Sequence, residues 1–340
     1  MRATRRPVTL MQGAATANVS VATASKALNS KPGVSTRTRE HVQRVADSLR
    51  YAPNTFALAL NRIQSDTMGV LAMTLDSRWV LPIVHGIEDA TGMDDTAILI
   101  TYAHRDAQRM RSRLDTLIAR HVDGVVIVAD STDPIPSLTA GAPVPVVYTY
   151  GPSESPQDHS YVPDNVDAGR QVVHHLVANG RRRIAFINGD HNYAAARDRE
   201  AGAVEAMADH GLELLGKGSI YGDWTERWGR RGMEALLESG VVVDAVIGAN
   251  DGIARGALDV LRADGRRVPH DIAVAGFDNW DGLAMSAWPP LTTVDMNLRA
   301  LGSAAAQHLA RRRDGDDHDE PGIRSLPVRL VPRESTVSFG

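Results

Sequence analysis

Val8-Thr9-Leu10, followed by Asn18-Val19-Ser20-Val21-Ala22-Thr23-Ala24-Ser25-Lys26-Ala27-Leu28-Asn29, is the stretch that decides how this chain is organised. Leu10, Ala14 and Ala17 recur at helical spacing, and Ser20 suits the N-cap of a second helix with Ala24, Ala27 and Leu28 on one face. Asn18, between them, tolerates the left-handed conformation that a tight turn needs. Ser35 suits the cap of a third helix, where Val42, Val45, Ala46 and Leu49 fall at i, i+3, i+4 and i+7 and can cover the first two. Two short helices in tight succession, backed by a third, form a helix-turn-helix, which implies that this end reads DNA.

Charge sets the same stretch apart. Between residues 1 and 62, ten basic residues stand against Glu40 and Asp47, a net +8, whereas the whole chain carries −4, which leaves −12 for the remainder. A basic module on an acidic body fits a phosphate-binding head on a ligand-binding body. At 340 residues and 43% hydrophobic content the chain is long enough for two or three packed domains. It has no cysteine, so disulfides and thiolate chemistry are excluded and no cofactor or metal is expected. No apolar run is long enough to span a membrane or to follow Arg2, Arg5 and Arg6 as a signal peptide, so a cytoplasmic, nucleoid-associated protein without membrane contact is expected.

After the third helix comes Tyr51-Ala52-Pro53-Asn54. Proline disfavours helix at the residue before it, and Asn54 can cap a short helix on which Ala57 and Leu60 share a face. So short a helix is marginal alone in water. On the residues alone, a hinge that folds only when supported and an ordinary packed linker both remain open.

From Asp66 onward, apolar runs alternate with amphipathic stretches. Residues 67–74, 97–102, 124–129 and 144–148 read as buried strands, with helices near 81–91 and 107–121. Strands at 184–188, 245–249 and 272–277, with helices near 166–179, 194–210, 225–239 and 251–263, repeat the theme. Residues 291–295, a helix near 298–311, and 325–331 complete the lobes, and 311–320 reads as a solvated helix end and loop. Two βα series argue for two doubly wound lobes with a ligand held between them, beyond the carboxyl ends of the strands. Polar and aromatic residues suited to a polyhydroxylated ligand are expected there: Asp164, Arg199, Asn250 and Asp278, with Trp79 and Trp224 to stack on an apolar face. Asn250 or Asp278 could equally cap a helix.

Together these segments resemble the lactose-repressor/galactose-repressor family of bacterial transcription regulators over almost the whole chain. The motifs are Val8–Asn29, Pro32-Gly33-Val34-Ser35 with Thr38-Arg39, Tyr51-Ala52-Pro53-Asn54 with Ala57 and Leu60, Asp164-Asn165, residues 180–185, Ala249-Asn250-Asp251, Gly276-Phe277-Asp278 and residues 290–294. The resemblance implies an α/β protein in which an N-terminal all-α helix-turn-helix head (1–52) and a hinge helix with linker (53–65) precede a body (66–340). That body would be two-lobed and periplasmic-binding-protein-like, built of doubly wound parallel sheets, for effector binding and dimerisation. It places Val21, Ala22 and Ser25 against major-groove bases, and Thr9, Ser20, Thr23, Lys26, Asn29 and Asn54 near phosphates. Ala57 and Leu60 would enter the minor groove from a helix that folds on DNA, with Leu60 as the wedge. Arg199, Asn250, Asp278, Trp224 and Trp79 align with effector positions. Departures accompany the match: Gln12 and Gly13 replace an acidic and a branched residue, which is expected to weaken the first helix. Asn18 replaces a turn glycine, and Arg181 a histidine.

The expected function is a homodimeric repressor that binds pseudo-palindromic operator DNA under control of a small molecule, most simply a sugar, with a purine-type ligand as the other option. Whether that ligand releases or promotes DNA binding stays open. No heptad tail follows Val331, so a dimer is expected rather than a tetramer. The competing reading is a solute-binding protein without operator binding, against which the basic head argues. Enzymatic activity is not expected, since Gly248-Ala249-Asn250-Asp251-Gly252 lacks dinucleotide spacing and His174-His175, adjacent on a helix, point apart.

Overall fold

The computed structural model describes residues 8–28, 32–49, 65–92, 96–104, 106–316 and 318–337. The chain divides into two compact units, Met1–Ser65 and Asp66–Gly340. Asn29 and the expected hinge helix with Asn54, Ala57 and Leu60 lie outside the described residues.

In the first unit, helices α1 (Leu10–Thr16), α2 (Val21–Leu28) and α3 (Thr36–Ser48) pack around Ala14, Ala17, Ala24, Ala27 and Val42. The small residues let these short helices approach closely. α1 ends in a Schellman turn: Asn18 takes φ 53°, its N–H bonds Ala15 O at 3.1 Å, and the Val19 N–H bonds Ala14 O at 3.0 Å. Gln12 proves to be an asset. Its Oε1 accepts from the Thr9 N–H at 2.9 Å while Thr9 Oγ1 accepts from the Gln12 N–H at 3.3 Å, a closed capping box. Gly13 lies mid-helix, and a Cβ added there would meet nothing within 4 Å. Gly13→Ala is therefore expected to stabilise α1 by about 1 kcal/mol, slowing hydrogen exchange of its protected amides roughly fivefold.

In the second unit, β1 (Thr67–Ala72), α4 (Val80–Thr91), β2 (Ala97–Tyr102), α5 (Ala107–Ala119), β3 (Gly124–Val128), β4 (Val146–Thr149) and β5 (His159–Pro163) build most of one lobe. Next come α6 (Asn165–Ala178), β6 (Ile184–Asn188), α7 (Ala194–Asp209), β7 (Ile220–Tyr221), α8 (Glu226–Glu238) and β8 (Ala245–Gly248). They continue into α9 (Asp251–Ala263), β9 (Ala273–Phe277), α10 (Asp281–Ala284) and β10 (Thr292–Asp295), making most of the other lobe. The chain then returns through α11 (Leu298–Arg313), β11 (Gly322–Leu326) and β12 (Arg329–Val331).

The sheets run β11-β5-β4-β3-β1-β2, all parallel, and β12-β10-β9-β8-β6-β7, parallel except for the edge strand β12. Alternation along β1 serves both faces of its sheet. Val70 and Ala72 pack towards Ile83, Ile87 and Leu301, while Leu71 packs towards Met110, Leu114 and Tyr148. The segment 325–331, expected to complete the lobes, divides at Pro327, which has no N–H to give a ladder; β11 joins the first sheet and β12 the second. The expected loop at 311–320 is pinned by Asp319, which accepts from His308 Nδ1 at 3.1 Å and Arg311 Nη2 at 2.7 Å.

Three connections cross between the lobes, and hydrogen bonds stitch them together. The Asp164 N–H bonds Leu326 O at 3.1 Å, and Asn297 Nδ2 bonds Pro327 O at 3.1 Å. Three helix pairs cross on reciprocal glycines: Gly86 and Gly302 for α4 and α11, Gly169 and Gly202 for α6 and α7, Gly229 and Gly256 for α8 and α9. A Cβ at Gly302 would lie 1.9 Å from Ile83 O, at Gly202 1.8 Å from Val166 O, and at Gly256 2.1 Å from Glu226 O.

Candidate functional site

The face that α2 turns to solvent carries most of the residues expected to read DNA. Val21, Ala22 and Lys26 are exposed, Thr23 and Ser25 half-buried, and Ala24 and Ala27 buried against the neighbouring helices. Ser20 fixes the start of α2, its Oγ accepting from the Thr23 N–H at 3.0 Å; Thr9 fixes the start of α1. Both hydroxyls thus serve as helix caps, on exposed residues.

In the body, the carboxyl ends of the strands converge on a cavity of about 210 Å³ whose lining includes Trp79, Tyr150, Thr132, Tyr193, Arg199, Trp224, Asn250 and Asp278. Each wall has a local cause. Trp79 precedes α4; its ring stacks on Tyr150 at 4.8 Å between centroids, and its Nε1 donates to Ala129 O at 3.0 Å. Trp224 lies on Gly189, where a Cβ would come within 2.4 Å of the ring. Asn250 caps α9, with Oδ1 accepting from the Ile253 N–H at 2.7 Å and Nδ2 donating to Trp224 O at 3.1 Å, so it both caps and lines. Asp164 lies elsewhere: it caps α6, accepting from the Asp167 N–H at 2.9 Å, and does not line this cavity. Its neighbour Asn165 is the one that reaches the site, through Arg199.

Arg199 is 2% exposed and satisfied on three sides. Its Nε donates to Asn165 Oδ1 at 2.8 Å, Nη1 to Ala249 O at 2.5 Å, and Nη2 lies 3.5 Å from Asp278 Oδ1. Asp278 also takes an ion pair from Arg78, which follows β1 in the other lobe, so one carboxylate joins the two sheets. Arg78 is held above its ordinary pKa, chiefly by Asp278. Burial first, and Asp278 second, push the Tyr150 phenol up, keeping it a neutral donor. Two buried polar atoms of the lining, Trp224 Nε1 and Thr132 Oγ1, have no hydrogen-bond partner among the described residues. Such atoms are costly unless a bound group satisfies them.

Asp251, behind this wall, accepts from Thr293 Oγ1 at 2.5 Å and from the Trp280 N–H at 2.8 Å. Burial, and then the charge of Asp278, raise its pKa above the usual carboxylate range. The folded state therefore binds this proton more tightly than the unfolded one, and its contribution to stability grows as pH falls from above neutrality towards about 4. Asp251→Asn, whose amide can donate to Thr293 and accept from Trp280, is expected to raise the thermal midpoint at pH 8 by more than at pH 5.5.

Arg78, Tyr150, Thr132 and Tyr193 were not expected from the sequence. Arg78, Tyr150 and Thr132 follow strands β1, β4 and β3, so the strand-end argument applied to the first lobe as well as the second would have found them. Tyr193 precedes α7, and its signal was its place in the loop after β6.

Residues 9–54 match the model of the bacterial regulatory proteins, lacI family, and residues 173–336 that of a periplasmic binding protein-like domain. The chain is 36% identical to the HTH-type transcriptional regulator CelR of Thermobifida fusca, across 98% of this chain and 100% of that one. It is 30% identical to the lactose operon repressor of Escherichia coli (strain K12), across 98% and 92%. Among solved structures, the lac repressor dimer bound to operator and the anti-inducer ONPF matches with a TM-score of 0.83 at 28% identity, covering 98% of this chain and 100% of that one. The CelR–cellobiose complex matches with a TM-score of 0.64 at 32% identity, covering 97% and 100%. A helix-turn-helix head, a two-lobed body and relatives that align from end to end place this chain in the lacI family of bacterial transcription regulators.

Proposed function

We propose that the protein is a homodimeric repressor that binds a pseudo-palindromic operator through α2 and is controlled by a neutral sugar held between the lobes. The observation that carries the effector reading is the cavity itself: two stacked or packed aromatic rings, Trp79 and Trp224, face a lining of hydroxyl, amide and carboxylate groups, and two buried polar atoms there have no partner among the described residues. Rings suit the apolar face of a sugar and the polar groups its hydroxyls. On the DNA side, Val21 and Ala22 offer methyl contacts, Ser25 a hydrogen bond to a base edge, and Lys26, Thr9, Ser20, Thr23, Asn29 and Asn54 contacts to phosphate, with Ala57 and Leu60 in the minor groove. Specificity then rests on methyl contacts and DNA shape more than on bidentate pairs.

The homodimer is supported by the edge strand β2, whose Leu99, Ile100 and Tyr102 are exposed together with Leu81 of α4. An open apolar edge of this kind is a template for pairing and needs cover. The protein works on the nucleoid in the cytoplasm, and it regulates without catalysing a reaction.

Fluorescence anisotropy with DNA from upstream of its own gene, across a salt series and against excess random DNA, tests the reading. Tight, competitor-resistant binding that a neutral sugar alters supports it; equal binding to both DNAs at every salt concentration rejects it.

A further inference from the structure

The cleft has a second, outer compartment of about 580 Å³, which shares Trp79 and Trp224 with the inner cavity and is walled by Trp280, Arg78, His104 and Asp76. Trp280 is 45% exposed, although its backbone is tied to buried Asp251 and the Arg78 guanidinium lies 5.2 Å from its ring centre. An indole that is anchored but left open on a cleft wall is a platform for a flat apolar face. Among the described lining residues, both guanidinium groups are engaged by protein acceptors, Arg78 by Asp278 and Arg199 by Asn165, Ala249 and Asp278. An anionic ligand would have to compete for them, whereas an uncharged one leaves them in place.

We propose that the effector is a neutral disaccharide, with one ring in the inner cavity and the second laid on Trp280, which makes Trp280 the residue that selects ligand length. This rests on the sugar reading of the inner cavity. The inner compartment, enclosed by Trp79, Tyr150 and Trp224, sets where the first ring sits; the outer one is roomy, and its recognition comes from a stacking surface rather than from enclosure. Phosphorylated sugars bind less well than their neutral parents.

The test is isothermal titration of the full-length protein with glucose, galactose and mannose and with cellobiose, lactose and maltose, repeated on Trp280→Ala and Trp280→Phe. At least one disaccharide is expected to bind about tenfold or more tightly than its component monosaccharides. Trp280→Ala removes that margin and leaves monosaccharide affinity unchanged, and Trp280→Phe retains most of it. Because Trp280 is half-open to solvent, the alanine variant is expected to match the parent in thermal unfolding. A monosaccharide that binds as tightly as every disaccharide, or a margin that survives Trp280→Ala, overturns the proposal while the sugar reading stands. The absence of binding by all six sugars overturns both.

Discussion

A single methyl group at position 202 is expected to cost the body about 3 kcal/mol or more, read as a lower midpoint of urea unfolding for Gly202→Ala. The added carbon would lie 1.8 Å from the carbonyl oxygen of Val166, which belongs to the backbone of α6 and cannot rotate away. α6 and α7 must separate to admit it, and with them the cores beneath. The partner glycine tells the same story, since a Cβ on Gly169 would lie 2.1 Å from the carbonyl oxygen of Arg199. The crossing therefore fixes where Arg199 stands, and the same substitution is expected to weaken effector binding at temperatures where the protein remains folded. An unfolding free energy within about 1 kcal/mol of the parent would refute this account of the helix pair. Gly13→Ala is the contrast: the same chemical change, made where nothing lies within 4 Å, moves stability the other way.

Arg199→Met should have the second largest effect. Methionine keeps most of the length and apolar stem but leaves Asn165 Oδ1 and Ala249 O without the donor they had, and removes one of two guanidinium groups from Asp278. Losing one partner from a buried, charged network of this kind costs about 3 kcal/mol. Effector affinity is expected to fall by about a hundredfold, because the cavity loses a wall and Asp278 its placement. Operator binding without effector should stay near that of the parent, since Arg199 belongs to the Asp66–Gly340 unit and the reading helix to the other. Loss of operator binding in parallel with effector binding, at matched folded fraction, would contradict that division.

Much of the fold was legible because its elements carry strong local signals. The strand at Ile184–Asn188 and the helix at Asp251–Ala263 emerged with the bounds expected, one an apolar run and the other a capped amphipathic stretch. β5 was missed because His159, Ser160 and Pro163 do not read as a strand; its burial comes from β4 on one side and β11, far along the chain, on the other. The break at Pro327 was missed for a related reason, since the residues on both sides are strand-like and only the tertiary fold sends them to different sheets. At the site, Asn250 and Asp278 held two possible meanings. The structure shows that Asn250 caps a helix and lines the cavity at once, and that Asp164, of similar signature, only caps. Arg78 could not be paired with Asp278 from sequence, because two hundred residues and a lobe boundary separate them. Gln12 departs from expectation because an amide, like the acidic residue it replaces, can close a capping box with Thr9 and so supports the first helix.

The order in which the lobes are threaded has a consequence for the protein as it is made. The lobe that begins first waits through most of the other: its sheet lacks β11, and α4 lacks the cover of α11, until residues 298–326 have left the ribosome. The second lobe, nearly continuous from Asn165 to Asp295, lacks only the short edge strand β12 and the segment that follows it, where buried Ser335 bonds Thr292 and Val274. Synthesis from the N-terminus thus leaves an unfinished sheet waiting while most of a later one is made. During that interval the exposed apolar edge at Leu99 and Ile100 belongs to a half-built lobe, and nascent chains on neighbouring ribosomes present the same edge to one another.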